Sequence, residues 1–273
     1  MFAGVDFIRP AGPSPAGAAA KGDIVTIIAA EDIAVWPLRD AKGVKMLGNF
    51  VLKEGARMYK FSQTTSKFNA STEVEGDEDA YTIKHKVDTE IPGDSLEVNE
   101  FLHAWMGINA IVIFDSCQDN FKKAYGTKCA PLQLKPTGQD NNEARKKMVS
   151  FEQVAKTTLQ PGHYTGALIF AEPYTAATAA FAINSANGSH YVVPALDVTA
   201  AIAPTAMELT NGQIVTFIGS GGDDPATLTQ GTAGVVEVLL ASGTTWTALK
   251  NAVIHLQVFD AGDDKYLIEL SRS

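Results

Sequence analysis

The chain has 273 residues, 45% of them apolar, and a formal charge of −9. That apolar share supports a buried core and excludes global disorder, while the acidic balance argues against a nucleic-acid-binding surface as the main function. The length exceeds the usual single-domain size and no run approaches the roughly 18 apolar residues of a membrane span, so two domains and no spanning helix are expected.

Residues 1–23 are rich in Ala, Gly and Pro, with Pro10, Pro13 and Pro15 close together, and read as an arm whose Phe2, Phe7 and Ile8 are available to dock on a neighbouring subunit. The arm lacks a basic segment followed by an apolar one, so no secretory signal is expected. A strand is predicted over 24–28, a turn over 32–37 and a polar loop over 39–48.

The stretch from Gly48 to Phe114 organises the rest. Tyr81, Ile83, His85, Val87, Thr89 and Ile91 fall on one face of a predicted strand, and Thr82, Lys84, Lys86, Asp88 and Glu90 on the other. This period of two is the pattern of a half-buried strand. Its partner is predicted at 56–68, making a long hairpin. The intervening segment holds Glu73, Glu75, Asp77, Glu78 and Asp79, and that much like charge is expected at a solvated tip rather than in a strand. Asp94 and Glu97 form a capping-box signature for a helix. Val98, Phe101, Leu102 and Trp105 follow at i, i+3, i+4 and i+7, a single stripe facing a core, and Gly107 is placed to end the helix. The run 110–114 is apolar and β-branched, as expected of a strand buried on both faces.

Beyond it, Asp119 and Asn120 open a turn, a strand is predicted near 129–135, and 136–147 reads as a polar loop. Strands are predicted over 148–158 and 164–170. Cys117 and Cys129 are the two cysteines and read as free thiols of a reducing compartment. After Pro173 the composition shifts to Ala, Thr, Gly and Ser. Nine of the 31 acidic residues but three of the 22 basic ones lie after Ala195, which places a linker at 173–194 and a small all-β domain at 195–273. Its strands are predicted at 213–218, 235–240, 252–259 and 265–271, with Trp246 as a core plug.

Chemistry is hard to find. The five histidines, His85, His103, His163, His190 and His255, have no metal-ligand spacing. The glycine-rich 218–224 segment lacks the Lys-Ser/Thr of a phosphate loop and the spacing of a nucleophile elbow. Asp223-Asp224 and Asp263-Asp264 read as turn carboxylates. No catalytic, cofactor-binding or metal-ligating residue is assigned, no cofactor is expected, and an enzyme is not expected.

Several segments in order resemble the tail tube proteins of tailed bacteriophages, especially those infecting Bacteroidetes bacteria. They are Glu31-Asp-Ile-Ala-Val-Trp-Pro37 with Asn49-Phe-Val-Leu-Lys-Glu-Gly55, and Glu73-Val-Glu-Gly-Asp-Glu-Asp79 before an alternating strand ending in Ile91-Pro-Gly93. The lone helix leading into Ile111-Val-Ile-Phe-Asp115 and the segment Leu159-Gln-Pro-Gly-His-Tyr-Thr-Gly166 complete the set. Asp119-Asn120-Phe121 stands where that pattern has an Asn-Gly type turn. The resemblance covers roughly residues 24–172. It implies a β-sandwich or open barrel with one α-helix and a long β-hairpin, six copies to a ring, and rings stacked into a tube that conducts DNA from capsid to host without binding it specifically. The C-terminal β domain would decorate the outside. The implied partners are other copies of the chain and other tail proteins (tape measure, terminator or connector, baseplate), and the implied location is the virion tail. Glu73, Glu75, Asp77, Glu78, Asp79, Asp88 and Glu90 become candidate lumen or inter-ring acidic residues. Two alternatives stand beside this. One is another virion component, a head decoration or head–tail connector protein. The other is a non-viral adhesin or carbohydrate-binding protein, which needs an exposed aromatic platform, whereas Trp36, Trp105 and Trp246 read as buried.

Overall fold

Residue placement is described by a computed structural model for residues 20–77, 79–116, 121–262 and 264–273. The fold is mainly β, with 48% of residues in strands and 6% helical. The chain divides into two units. Unit 1 comprises residues up to Ala34, Arg39–Met46 and Ala56–Tyr164; unit 2 comprises Val35–Leu38, Leu47–Gly55 and Thr165–Ser273.

Unit 1 is built around one strand. Its strands are β1 (Ile24–Ala29), β2 (Tyr59–Ser62), β3 (Asn69–Glu75), β4 (Thr82–Pro92), β5 (Asn109–Asp115), β6 (Lys122–Tyr125), β7 (Leu132–Asp140), β8 (Arg145–Gln153) and β9 (Gly162–Tyr164), with the helix α1 (Leu96–Trp105) between β4 and β5. In β5, Ile113 pairs with Thr26 of β1 on one edge and Ala124 of β6 on the other, while Ala110 pairs with Ala29 of β1 and Leu132 of β7. β6 and β7 therefore share one edge of β5, and the sheet splits into two arms there. One arm runs β6–β9, the other β7–β8–β4–β3. Ala110 to Phe114 are all buried, so β5 is covered on both faces as its apolar run predicts.

β2 pairs with the far edge of β1, and the chain leaving it returns to β4. Thr64 N–H donates to Glu90 O at 2.8 Å, and the Thr89 hydroxyl donates to the Gln63 side-chain oxygen. The sheet thereby curls round its core. Leu102 and Trp105 of α1 are buried, and Val98 and Phe101 pack against the same cluster, which includes Phe61, Val87, Ile91, Val112 and Phe151. The helix cap lies one residue later than the Asp94–Glu97 spacing predicts. Ser95 is the N-cap, its hydroxyl accepting from Val98 N–H, because Asp94 is occupied by Lys147 at 2.8 Å and Asn99 at 2.7 Å. Gly107, at φ +79°, follows the helix in the left-handed conformation that glycine adopts at least cost.

Three strand expectations are corrected. The strand expected over 164–170 is instead β9, which ends at Tyr164, and residues 165–170 are not in a strand. The partner of β4 is β3, with Glu73 opposite Lys84 and Ser71 opposite Lys86; residues 59–62 pair with β1 instead. Like charge does not keep Glu73 and Glu75 out of a strand because lysines meet it: Lys84 across the ladder, and Lys156, which pairs with Glu75. The expected loop over 136–147 is a second long hairpin. β7 and β8 pair from Leu132↔Gln153 to Asp140↔Arg145, and Asn141 Oδ1 closes the turn by accepting from Glu143 and Ala144 N–H, both at 3.0 Å. β5 pairs only Leu132 and Gln133 of β7, so Pro136 sits where the outer edge needs no N–H. The expected turn at Asp119 and Asn120, and Cys117, lie outside the described residues; Cys129 is a free, exposed thiol.

Unit 2 holds a mixed sheet, in spatial order β10 (Tyr174–Thr175), β11 (His190–Val193), β12 (Ile214–Gly219), β15 (Val253–Asp260), β16 (Lys265–Arg272), β14 (Val236–Leu239) and β13 (Gly231–Ala233). The four C-terminal strands fall where their alternation predicts. The segment 173–194 is no linker: β10 and β11 are strands of this sheet, Tyr191 and Val193 are fully buried, and Phe181 and Ile183 join the same core. Their small-residue surroundings imitate a linker in composition, while the apolar side chains among them supply the packing. Trp246 is buried in that core, whereas Trp36 is half-buried, edge-on to Phe50 at 5.7 Å.

Candidate functional site

The alternation of β4 gives unit 1 one dry and one wet sheet face. Ile83, His85, Val87, Thr89 and Ile91 are buried; Lys84, Lys86, Asp88 and Glu90 are partly exposed. Strand register extends the wet face sideways. Glu152, Ser150 and Met148 of β8 lie opposite Lys86, Asp88 and Glu90, and Gln133, Lys135 and Thr137 of β7 lie opposite Glu152, Ser150 and Met148.

The charges on this face are matched. Lys86 lies 3.1 Å from Glu152 and 3.4 Å from Asp88, Lys135 lies 2.8 Å from Glu152, and Lys146 lies 2.7 Å from Glu90. Ser150 donates to Asp88 at 2.7 Å. Hydrogen bonds from Lys135 and Lys86 pull the Glu152 carboxyl down to about 2. Lys84, Lys86, Lys135 and Lys146 thus balance Glu73, Asp88, Glu90 and Glu152. Such a lattice of ion pairs leaves little free cationic charge for an anion to engage.

Unmatched negative charge collects at one end instead, in the turn after β3. Glu73 and Glu75 lie on β3, the last strand of the sheet, and Asp77 and Asp79 are exposed in the turn to β4; Glu78 lies outside the described residues. Glu75 pairs with Lys156, whose hydrogen bond lowers its pKa. Among the described residues β3 has no strand on its outer edge. The other end of the sheet is basic. There Lys45 and Met46 pair in parallel with His163 and Tyr164 of β9, and the segment 39–46 carries Arg39, Lys42 and Lys45 against the single acid Asp40. Lys42 and Lys45 are exposed. The Arg39 guanidinium is spent locally, donating to Gly43 O at 2.8 Å and Gln160 O at 2.9 Å.

The histidines divide by environment. His103 is exposed on α1 and His163 half-buried on β9. His85 is fully buried, and burial pushes it down to about 4. His190 and His255 are buried in unit 2. Among the described residues no three His, Cys, Asp or Glu side chains gather as a metal-binding group, and no helix is long and apolar enough to cross a membrane. Sequence reading found the acidic residues at the β3 end but missed the basic end, because 39–48 reads as a featureless polar loop. It also missed the neutralising lysines of β7 and β8, which only the register brings to β4.

No family model, no curated protein and no solved structure matches this chain.

Proposed function

We propose that the protein is a virion structural protein, a phage tail tube subunit whose copies join head to tail into rings that stack into a DNA-conducting tube. The observation that carries this reading is the asymmetry of the unit 1 sheet: among the described residues it ends on one side in the acidic strand β3, whose outer edge has no strand on it, and on the other in a basic segment, 39–45. Unpaired strand edges invite pairing with another chain, and two unlike, complementary surfaces on one subunit give a heterologous contact that closes into a ring when the rotation allows. The residue resemblance over 24–172 and the mainly β fold, with one α-helix among the described residues, support the same reading.

In this reading the wet face of β4, β7 and β8 lines the channel. Asp88 and Glu90 take part in an ion-pair lattice that occupies the nearby lysines, so passing phosphates meet few free cations and the strand slides rather than binds. Electron microscopy of the purified protein tests the proposal. Rings or tubes with a central hole are expected; a persistent monomer at high concentration overturns it, and closed trimers would favour a head-decoration role.

A further inference from the structure

The sheet of unit 2 carries a polar row on the face away from its core. Register aligns His190 on β11, Thr216 on β12, His255 on β15 and Ser271 on β16. Their neighbours Tyr191, Val215, Phe217, Ile254 and Leu256 belong to the hydrophobic cluster, so alternation puts the row on the other face. His190, Thr216 and His255 are nonetheless buried.

What covers them is a stretch from far away in sequence. Ser271 Oγ donates to Leu47 O at 3.0 Å, and Phe50 O accepts from His190 Nε2 at 3.2 Å. The Asn49 amide donates to Thr216 Oγ1 at 3.0 Å and Ile214 O at 3.2 Å, and accepts from Ala167 N–H at 2.8 Å. Asn49 N–H points at His255 Nδ1 at 3.4 Å. The Gly48 backbone, at φ +115°, lies so close that a Cβ there would stand 2.5 Å from two carbons of the His255 ring.

These contacts fix where protons sit. Thr216 Oγ1 lies 2.9 Å from His255 Nδ1 and accepts from Asn49, so its own proton goes to Nδ1, which Asn49 N–H also approaches. A proton on that nitrogen would face two donors. His190 is held differently: Nε2 donates to Phe50 O and Nδ1 accepts from Ser189 Oγ at 2.9 Å. The row offers no carboxylate to an imidazolium. β11 presents Ser189 and His190, β12 Thr216, β15 His255 and β16 Ser271, and the covering stretch Leu47, Gly48, Asn49 and Phe50. Glu269 and Arg272 of β16 are registered with Leu256 and Ile254, on the core side, and pair with each other.

We propose that residues 47–50 are an acid-releasable strap, seated on the unit 2 sheet while His255 is neutral and lifted when its Nδ1 takes up a proton. Burial brings His255 down to about 4, and burial with the charge of His255 brings His190 down to about 3. Protons therefore bind the open form first as pH falls below the ordinary histidine value.

Hydrogen–deuterium exchange of the full-length protein tests this, with rates expressed relative to intrinsic chemical exchange. The peptide covering 47–55 is expected to lose about twentyfold protection between pH 7 and pH 5, from linkage to His255 alone, while the β12 peptide around Val215–Phe217 keeps its own. H255N, which leaves an acceptor in place but cannot charge, is expected to flatten the profile. G48A is expected to free the strap already at pH 7. Unchanged strap protection down to pH 4.5, loss of strap and β12 protection at the same pH, or a wild-type profile in H255N would each overturn the proposal. Should H255N fail to fold, the wild-type profile decides alone.

Discussion

His85 accepts the main-chain N–H of Gly126 on Nδ1 at 3.2 Å, while its Nε2 lies 3.0 Å from Leu159 O as donor. One imidazole thus ties β4 to the segment after β6 and to the segment leading into β9, in a single neutral tautomer. Its folded pKa of about 4 lies below the ordinary 6.5, so the unfolded chain binds the proton more readily. The stability this contributes is present above pH 6.5 and is lost as pH falls from 6.5 towards 4, up to about 3 kcal/mol. Denaturant titrations across pH 4–7 should show that loss, and H85N should reduce its slope.

The contribution of Glu152 fades in the same direction as pH falls, but in a more acidic window. Its carboxyl, held at about 2 by Lys135 and Lys86, contributes stability that is complete above pH 4.5 and fades as pH falls towards 2. Because Lys86 and Lys135 are 37% and 59% exposed, solvent screening limits the contribution. E152Q should cost about 1 kcal/mol at pH 7 and low salt, and less in 1 M salt, by urea denaturation.

The helix stripe should be sensitive in proportion to burial. Trp105→Ala removes a buried ring that meets Tyr59 edge-on at 5.5 Å and should cost about 3–5 kcal/mol. Ser95→Ala removes only the cap and should cost about 1 kcal/mol. Thermal melts of the two variants rank them.

Self-association should respond to charge at the two ends of the unit 1 sheet. K42E/K45E and E73K/D77K each alter exposed positions, so each variant should fold yet fail to form rings alone. Mixed, they should co-assemble, because the reversed ends complement each other. Negative-stain images of the separate and mixed variants read this directly; assembly of either variant by itself would exclude these ends as the contact.

The parts of the fold written in short-range pattern were legible. The Ile83–Ile91 alternation, the Val98–Trp105 stripe and the doubly buried 110–114 run all lie where their spacing puts them. What pattern could not supply was pairing. Glu73 and Glu75 look incompatible with a strand until Lys84 and Lys156 are brought beside them. Glu90 looks like free acid until Lys146 arrives from the neighbouring strand, and Lys86 looks free to offset Asp88 until register brings Glu152 to share it. Asn49 and Phe50 offered no hint of their seat, because the side chains that receive them begin 140 residues later with His190. The same gap hid the membership of 173–194, whose buried Phe181, Tyr191 and Val193 are interspersed with residues of linker-like composition.

That long reach also bears on synthesis. The chain emerges from the ribosome in order, so Leu47–Gly55 is made well before any residue of Thr165–Ser273 exists to receive it. Until then Asn49, Phe50 and Val51, buried in the finished molecule, have no berth. Contacts so distant in sequence form slowly and leave apolar surface uncovered meanwhile. A chain interrupted after Tyr164 would keep these three residues permanently in water, and sticky.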